Sequence, residues 1–388
     1  MKIKEIDAKQ IKDSRGDKTI SVTIKTNIGK FSASAPNGKS KGKHEAKPYK
    51  KSIDEDIEEL KKIGEYFSEE IIEKFDDLRR VEDIIECHIG ANTSFALESA
   101  ILKAMAKEQK KEIWEIINPK PKKIPRFVGN CIGGGKHSDT EANKKPDFQE
   151  FLLIPDEKSA KENFEKNKEA KKNARINLEK KDKKFKGLKN DENAWVTSLN
   201  EKEVFDLLRE TKIPLGTDIA ASGFYKRKKY LYKNPRLDRT PEEQLNYLSN
   251  LIKNFEIFYI EDPFEEEDFE DFSKLLKKFP DRLIVGDDLT VTNPERLKKA
   301  ITQKSVNSLI VKPNQIGSLM KVKRVCEIAK KNGIKTIFSH RSGETNESIL
   351  ADLAFGFEAD FIKCGITGKE REIKIKRLIE IEKSIKTK

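Results

Sequence analysis

The sequence predicts an α/β barrel preceded by a smaller α+β cap domain. Three observations carry that prediction. From Lys212 onward, short apolar runs recur at steps of about 25 residues, the spacing of consecutive βα units around a parallel sheet. Helical periodicity fills most of the intervals, as in "NPERLKKAITQK" (293–304) and "LMKVKRVCEIAKKNG" (319–333). Before them, hairpin and amphipathic-helix patterns run up to "NPKPKKIPR" (118–126), whose prolines and lysines break the periodicity. The boundaries expected are a cap over 1–121 and a barrel over 122–388.

In the cap, "SVTIKTNIGKFSASAP" (21–36) alternates about a turn at Asn27-Ile28-Gly29, as a hairpin does. "SIDEDIEELKKIGEYF" (52–67) and "SFALESAILKAMAKEQ" (94–109) carry apolar residues at helical spacing. In the barrel, six successive strands finish in a polar or ionisable residue: "KIPLGTD" at Asp218, "FEIFYIE" at Glu261, "RLIVGD" at Asp287, "VNSLIVK" at Lys312, "IKTIFSH" at His340 and "EADFIK" at Lys363. Parallel strands are covered on both faces, so continuous apolar runs are expected. In a closed barrel the strand C-termini share one face, where chemistry resides. Six ionisable or polar exits therefore describe a site.

Composition narrows the function classes. The 388 residues carry 38% charged and 36% hydrophobic side chains, with a net charge of +12. Lysine supplies most of that excess, but acidic residues are interleaved with it. The segment "KKNARINLEKKDKKFKGLK" (171–189) holds one aromatic residue, so base stacking is poorly supported. A solvated basic surface is expected rather than a nucleic-acid binder. Four widely spaced cysteines form neither a CxxC zinc pattern nor a disulfide framework. The start, "MKIKEIDAKQ", lacks a signal-peptide core, and no apolar run has the length of a membrane span. A cytoplasmic protein with no membrane partner is expected.

The strand-end residues suit one chemistry. Asp218, Glu261 and Asp287 come from neighbouring strands and would repel one another unless a cation sat among them. Oxygen-only ligands favour Mg²⁺ over zinc. Lys312, near that cation and Lys363, is expected to have a lowered pKa and so to act as a general base. A metal, a lysine base and a second cation suit removal of a proton α to a carboxylate. In "SHRSGET" (339–345), Arg341 beside Ser342 makes a phosphate receptor, with His340 adjacent. "APNGKSKGKHEA" (35–46) could fold over an anion; equally it is a solvated loop. "CIGGGKH" (131–137) ends at His137 ahead of Gln149 and Glu150, and its glycines permit a mobile cover.

These strings resemble the enolase family nearly end to end. The motifs are "DSRG" (13–16), "PNGKSKG" (36–42), "IGAN" (89–92), "GGGKH" (133–137) and "QEF" (149–151). Stronger ones follow: "IEDPF" (260–264), "GDDLTVTNP" (286–294), "VKPNQIGS" (311–318) and "SHRSGET". The resemblance implies dehydration of 2-phosphoglycerate to phosphoenolpyruvate; Mg²⁺ with a lysine base is the general chemistry of that superfamily. It implies Asp218, Glu261 and Asp287 as ligands of a first Mg²⁺, Ser40 of a lid loop at a second, and Lys312 as base. Lys363 would grip the substrate carboxylate, and Arg341 and Ser342 the phosphate. His137 would belong to a second lid with Gln149 and Glu150 nearby, Glu192 would expel the C3 hydroxyl, and His340 would line the site. A barrel with antiparallel first strands and a homodimer or higher homo-oligomer are also implied.

The sequence departs from the family pattern around the entrance. The glycine-flanked G-D-E-G-G reads "NDENA" (190–194), the lid G-A-S-T-G reads "GKSKG", and the stretch from His137 to Glu150 is long and charged. Two alternatives stay open: a superfamily paralogue acting on another phosphorylated or acidic substrate, and a non-catalytic basic binding protein.

Overall fold

The computed structural model describes residues 1–39, 42–67, 70–138 and 144–387. The chain opens with an antiparallel sheet of three strands, β1 (Ile3–Lys12), β2 (Lys18–Thr26) and β3 (Gly29–Ser34), in that order. The turn expected at Asn27-Ile28-Gly29 joins β2 to β3. Alternation places Ile20, Val22 and Ile24 on one face, all fully buried. The helix Ala91–Gln109, apolar around most of its circumference, covers that face. The helix Ile53–Ile63 is the amphipathic counterpart. Ser52 caps it by accepting from Glu55 N at 3.1 Å, with acids in its first turn and Lys61 and Lys62 in its last.

The second part is a barrel. Its strands are β4 (Arg126–Gly133), β5 (Glu150–Leu153), β7 (Leu215–Asp218), β11 (Tyr259–Glu261), β12 (Leu283–Gly286), β13 (Ser308–Val311), β14 (Lys335–Ser339) and β15 (Phe361–Gly365). A short β6 (Trp195–Val196) adds to β4 from outside. Strands β8 (Tyr225–Lys226), β9 (Lys229–Lys233) and β10 (Arg236–Arg239) form a small antiparallel sheet of their own. The β15–β4 pair closes the ring of eight strands. Val128, Leu152, Tyr259, Val285, Ile310, Ile337 and Phe361 fill its interior. Outer helices such as Pro294–Thr302, Leu319–Lys331 and Lys369–Thr387 follow their strands as the periodicity predicts.

Two details refine the expectation. Antiparallel pairing within the ring is confined to β5, which runs against both β4 and β7. Lys363 does not end its strand: β15 continues through Cys364 and Gly365, because both pair with Gly129 and Asn130 of β4 in closing the ring. The basic segment that begins at Lys171 is the second half of the helix Ala160–Lys181 and the turn beyond it.

Candidate active site

Asp218 and Glu261 are the last residues of β7 and β11. Asp287, Lys312 and His340 each stand one residue beyond β12, β13 and β14. Glu150 reaches the same face from the opposite end of its strand. β5 is reversed, so its first residue lies in register with Asp218. The mouth of the barrel is thus lined with charge from almost every strand, and nearly all of it is buried.

Lys363 is the hub. Its ammonium stands 3.1 Å from Asp218 Oδ2, 2.8 Å from each oxygen of Glu261 and 3.3 Å from Glu150 Oε2. Burial favours the neutral amine, but three carboxylates outweigh it and hold the lysine well above its ordinary pKa. Glu261, buried and facing Asp218, is pushed up to about 8. Tyr259 donates its hydroxyl to Glu261 at 2.6 Å, and Gln149 Nε2 lies 3.4 Å from Asp218 Oδ2.

Lys312 contacts Asp287 Oδ2 in a close ion pair. The sequence-based expectation of a lowered pKa is corrected here. Burial and the nearby Arg341 and Lys363 push the ammonium down, but the Asp287 carboxylate more than offsets them, and the net shift is upward. Asp287 itself is held below the usual carboxylate range, Lys312 outweighing the cost of burial. Its other oxygen accepts from Gln315 Nε2 at 3.2 Å. The turn bearing Asp287 is fixed by Asp262, whose carboxylate accepts the backbone N–H of Asp287 at 2.9 Å and of Asp288 at 2.7 Å.

A third group holds the acids. His137 Nδ1 lies 3.4 Å from Glu192 Oε1 and 4.0 Å from Glu150 Oε1, and His340 Nε2 lies 3.5 Å from Glu192 Oε2. Asn130 donates to Glu192 Oε2 at 2.9 Å. The two carboxylates diverge. Burial and Glu192 drive Glu150 well above its ordinary value, whereas His340, His137 and Arg371 overcome burial and hold Glu192 low. Glu150 is therefore the more readily protonated of the two. Burial, with Arg371 adding to it, pushes the His340 imidazole well below its ordinary value against the pull of Glu192.

The fourth group is cationic. Arg341 is buried, only 4% exposed. It forks onto Glu45 at 3.0 and 3.2 Å and reaches Asn314 Oδ1 at 3.3 Å. Ser342 Oγ accepts from Lys39 N at 2.8 Å and from Arg15 Nη1 at 3.1 Å. Lys39 Nζ is 3.3 Å from Asp191, which ties the "GKSKG" loop to the "NDENA" loop. Ser40 lies outside the described residues. The glycines expected to allow a mobile cover serve close packing: a Cβ on Gly134 would stand 2.4 Å from the Phe148 carbonyl, and one on Gly133 2.2 Å from Asn190 Nδ2. The space left between these groups is only about 20 Å³.

The donor set fits a hard divalent cation. Asp218, Glu261 and Asp287 offer only carboxylate oxygens, and the chain places an ammonium against each of them. Among the described residues, the sets that do pack closely enough to share one ion are Asp262–Asp287–Asp288 and His137–Glu150–Glu192.

Sequence reasoning singled out the strand ends and missed the residues that hold them. Glu45, Asn314 and Gln315 sit inside the quoted strings, but nothing in their spacing points to Arg341 or Asp287. Asp262 stands next to Glu261 and holds the following strand's turn, with a backbone in the left-handed region at φ 41°.

A barrel mouth built of paired carboxylates and buried lysines under a separate α+β cap defines a barrel enzyme. Residues 121–388 match the family model "Enolase, C-terminal TIM barrel domain", and residues 3–117 match "Enolase, N-terminal domain". The protein named Enolase from Methanosphaera stadtmanae is 36% identical over 99% of this chain and 97% of its own length. Those from Pyrobaculum aerophilum and Archaeoglobus fulgidus are each 34% identical over 98% of this chain, and over 96% and 97% of their own lengths. The chain belongs to the enolase family and is a hydro-lyase.

Proposed function

We propose that this chain dehydrates 2-phosphoglycerate to phosphoenolpyruvate, with Lys312 as base, Glu192 with Glu150 as the acid pair, and Mg²⁺ as cofactor. One observation carries the reading: Lys312, Lys363 and Asp218 line one pocket with Arg341 and Ser342, and the two lysines pair with Asp287 and Glu261. Asp218, Glu261 and Asp287 would hold Mg²⁺, with Ser40 serving a second ion. When bound, the metal would supply positive charge to the substrate carboxylate.

The residues divide the work. Arg341 and Ser342 bind the phosphate, for which Arg341 exchanges its Glu45 partner. Lys363, already an ammonium among carboxylates, meets the substrate carboxylate. Lys312, once parted from Asp287 and having lost its extra proton to solvent, takes the proton from C2 onto the neutral Nζ, and the electron pair of that C–H bond passes into the carboxylate as an enolate. That pair then returns to form the C2–C3 double bond as the C3–O bond breaks. The departing hydroxyl takes the proton held by the Glu150–Glu192 pair and leaves as water. His137, between those carboxylates, orients them, and His340 keeps Glu192 aligned. Gln149 steadies Asp218.

The wider readings go with this function. The cap is assigned to 1–121 and the barrel to 122–388. A homodimer or higher homo-oligomer is expected. All four cysteines are free thiols, which supports a reducing, cytoplasmic setting. No helix among the described residues is long and apolar enough to cross a membrane. The deciding experiment incubates purified protein with 2-phosphoglycerate and follows phosphoenolpyruvate formation with Mg²⁺ and with chelator. Metal-dependent product formation is expected. Protein that stays folded yet makes no product would transfer the site to another phosphorylated or acidic substrate.

A further inference from the structure

We propose that Lys171, on the outer helix Ala160–Lys181, is a positioning residue that fixes the loop carrying Glu192 against the last barrel strand. The inference rests on the reading of Glu192 as the acid in dehydration. It starts from the "NDENA" loop, which lacks the glycines of the family pattern. Asn193 adopts a left-handed conformation, φ 62°, one of the few non-glycine residues suited to it. Asn190 ties the turn internally, its Oδ1 accepting from Glu192 N at 3.0 Å and Ala194 N at 2.9 Å. Two asparagines thus make the turn without flanking glycine, but neither attaches it to the barrel.

Besides Asn130 on β4, which holds the Glu192 carboxylate, two buried cations attach the loop backbone, one on each side of Glu192. Before it, Arg371 donates to the Asp191 carbonyl at 3.1 Å. After it, the Lys171 ammonium donates to the Asn193 carbonyl and, at 2.6 Å, to Thr367 Oγ1. Thr367 lies just beyond β15, the strand that carries Lys363. The loop also presses on β15 itself: a Cβ on Gly365 would stand 2.6 Å from the Glu192 carbonyl. Lys171 therefore bridges the acid's loop to the strand of the lysine assigned to the substrate carboxylate.

The lysine is built in rather than incidental. It is 3% exposed on a helix whose other lysines are mostly in water. Its own carbonyl accepts from Trp195 Nε1 at 3.0 Å, and its ammonium lies 5.7 Å from the centre of that indole ring. Burial pushes its pKa down to about 8, so it remains charged at neutral pH. An ammonium is kept in a buried place only where its protons are used, and here they hold a peptide adjoining the acid. A carboxyl misplaced by about 1 Å can lose up to about 10²-fold in rate.

The test uses the full-length protein, 2-phosphoglycerate and Mg²⁺. Lys171→Met keeps the length and apolar body and removes the donors. It should stay folded, with KM for 2-phosphoglycerate and exchange of the α-proton with deuterium both within about twofold of the parent, while product formation falls about 10-fold or more. Lys171→Arg should recover part of that loss. Product formed at the parental rate in Lys171→Met overturns the proposal, and so does an equal loss of exchange and product. Should Lys171→Met fail to fold, Thr367→Val removes one acceptor and leaves the lysine in place. It should show the same split at smaller size, and no split overturns the proposal. Glu192→Gln, run alongside, separates the two readings. Normal product formation in that variant defeats the assignment of the acid itself. Impaired Glu192→Gln with unimpaired Lys171→Met defeats only the role of Lys171.

Discussion

At the scale of single residues, each acidic or basic role depends on a neighbour that moves the pKa. Lys312 is held protonated by Asp287, so its service as a base requires that partner to be engaged elsewhere. Lys312→Ala should abolish exchange of the α-proton of 2-phosphoglycerate with deuterated solvent. Glu192→Gln should retain measurable exchange while product formation drops by about 10²-fold or more, the usual loss for a missing general acid. Exchange at the wild-type rate in Lys312→Ala would remove Lys312 from the mechanism. Asp287→Ala separates the metal from the base. It frees Lys312 from the carboxylate that raises its pKa, but it deletes one of three proposed ligands. Calorimetric Mg²⁺ affinity should therefore fall about 10²-fold or more, as expected for a lost ligand, together with activity, despite the more readily neutral lysine. An unaltered Mg²⁺ titration in that variant would show that the cation binds elsewhere.

At the scale of elements, the reversed strand β5 and the helix behind it show how the scaffold serves the site. The segment from Pro146 to Glu150 leads into β5, and Asp147 within it is tied down from two sides. Its carboxylate accepts from Lys233 N and Asn234 N at 2.8 and 3.0 Å, and its own N–H donates to Glu201 Oε1 at 2.6 Å. Glu201 opens the helix Glu201–Leu208, and burial pushes its pKa up to about 7 despite that helix N-terminus. A carboxyl with a folded pKa above its unfolded value of 4.5 contributes stability that is complete below about pH 4.5 and is lost as pH rises through about 7. Glu201→Gln does not titrate. The variant should gain stability relative to the parent between those limits, by at most about 3 kcal/mol, read as unfolding midpoints in denaturant at pH 5 and pH 8. A difference that does not change with pH would show Glu201 to be ordinary. This element also marks the limit of what the sequence discloses. The parallel strands were legible, because runs such as "SLIVK" couple an apolar stretch to a charged exit. Nothing in "QEFLL" tells that β5 runs backwards, since four buried residues read alike in both directions. The direction is set by hydrogen bonds to β4 and β7, which local pattern does not encode. The run "EADFIK" reads as a strand ending at Lys363 for a related reason: local pattern does not show that Cys364 and Gly365 pair with β4 and so stay in the sheet.

At the scale of the whole molecule, the site is completed across the contact between cap and barrel. Glu45, Lys39 and Gly38 come from the N-terminal part, whereas Arg341, Ser342 and Asp191 come from the barrel. The lid segment is anchored by a reciprocal pair of backbone hydrogen bonds, Asn37 N to Gly343 O at 2.7 Å and Gly343 N to Asn37 O at 2.8 Å. Asn92, at the start of the helix Ala91–Gln109, links both sides, donating to Asn37 Oδ1 at 3.0 Å and accepting from Asn314 Nδ2 at 2.9 Å. That helix also caps a barrel helix: the buried Glu98 accepts from Leu319 N at 2.6 Å. A close backbone approach falls at Gly317, φ 82°, where an added Cβ would stand 2.6 Å from Ala91 Cα and 2.9 Å from the Ala91 carbonyl. These are backbone atoms at the first turn of a helix and cannot yield as a flexible side-chain end does. Gly317→Ala combines left-handed strain with that clash, so a loss of about 2 kcal/mol or more in stability is expected. The catalytic consequence follows from the path Ala91–Asn92–Asn37. If the cap shifts to relieve the clash, the segment bearing Lys39 and Glu45 shifts with it, while Lys312, Asp287 and Lys363 stay on the barrel. The variant should therefore show a lower unfolding midpoint together with a raised KM for 2-phosphoglycerate, and a smaller change in α-proton exchange at saturating substrate. A lowered midpoint with unaltered KM would mean that the cap stabilises the barrel without shaping the phosphate end of the site.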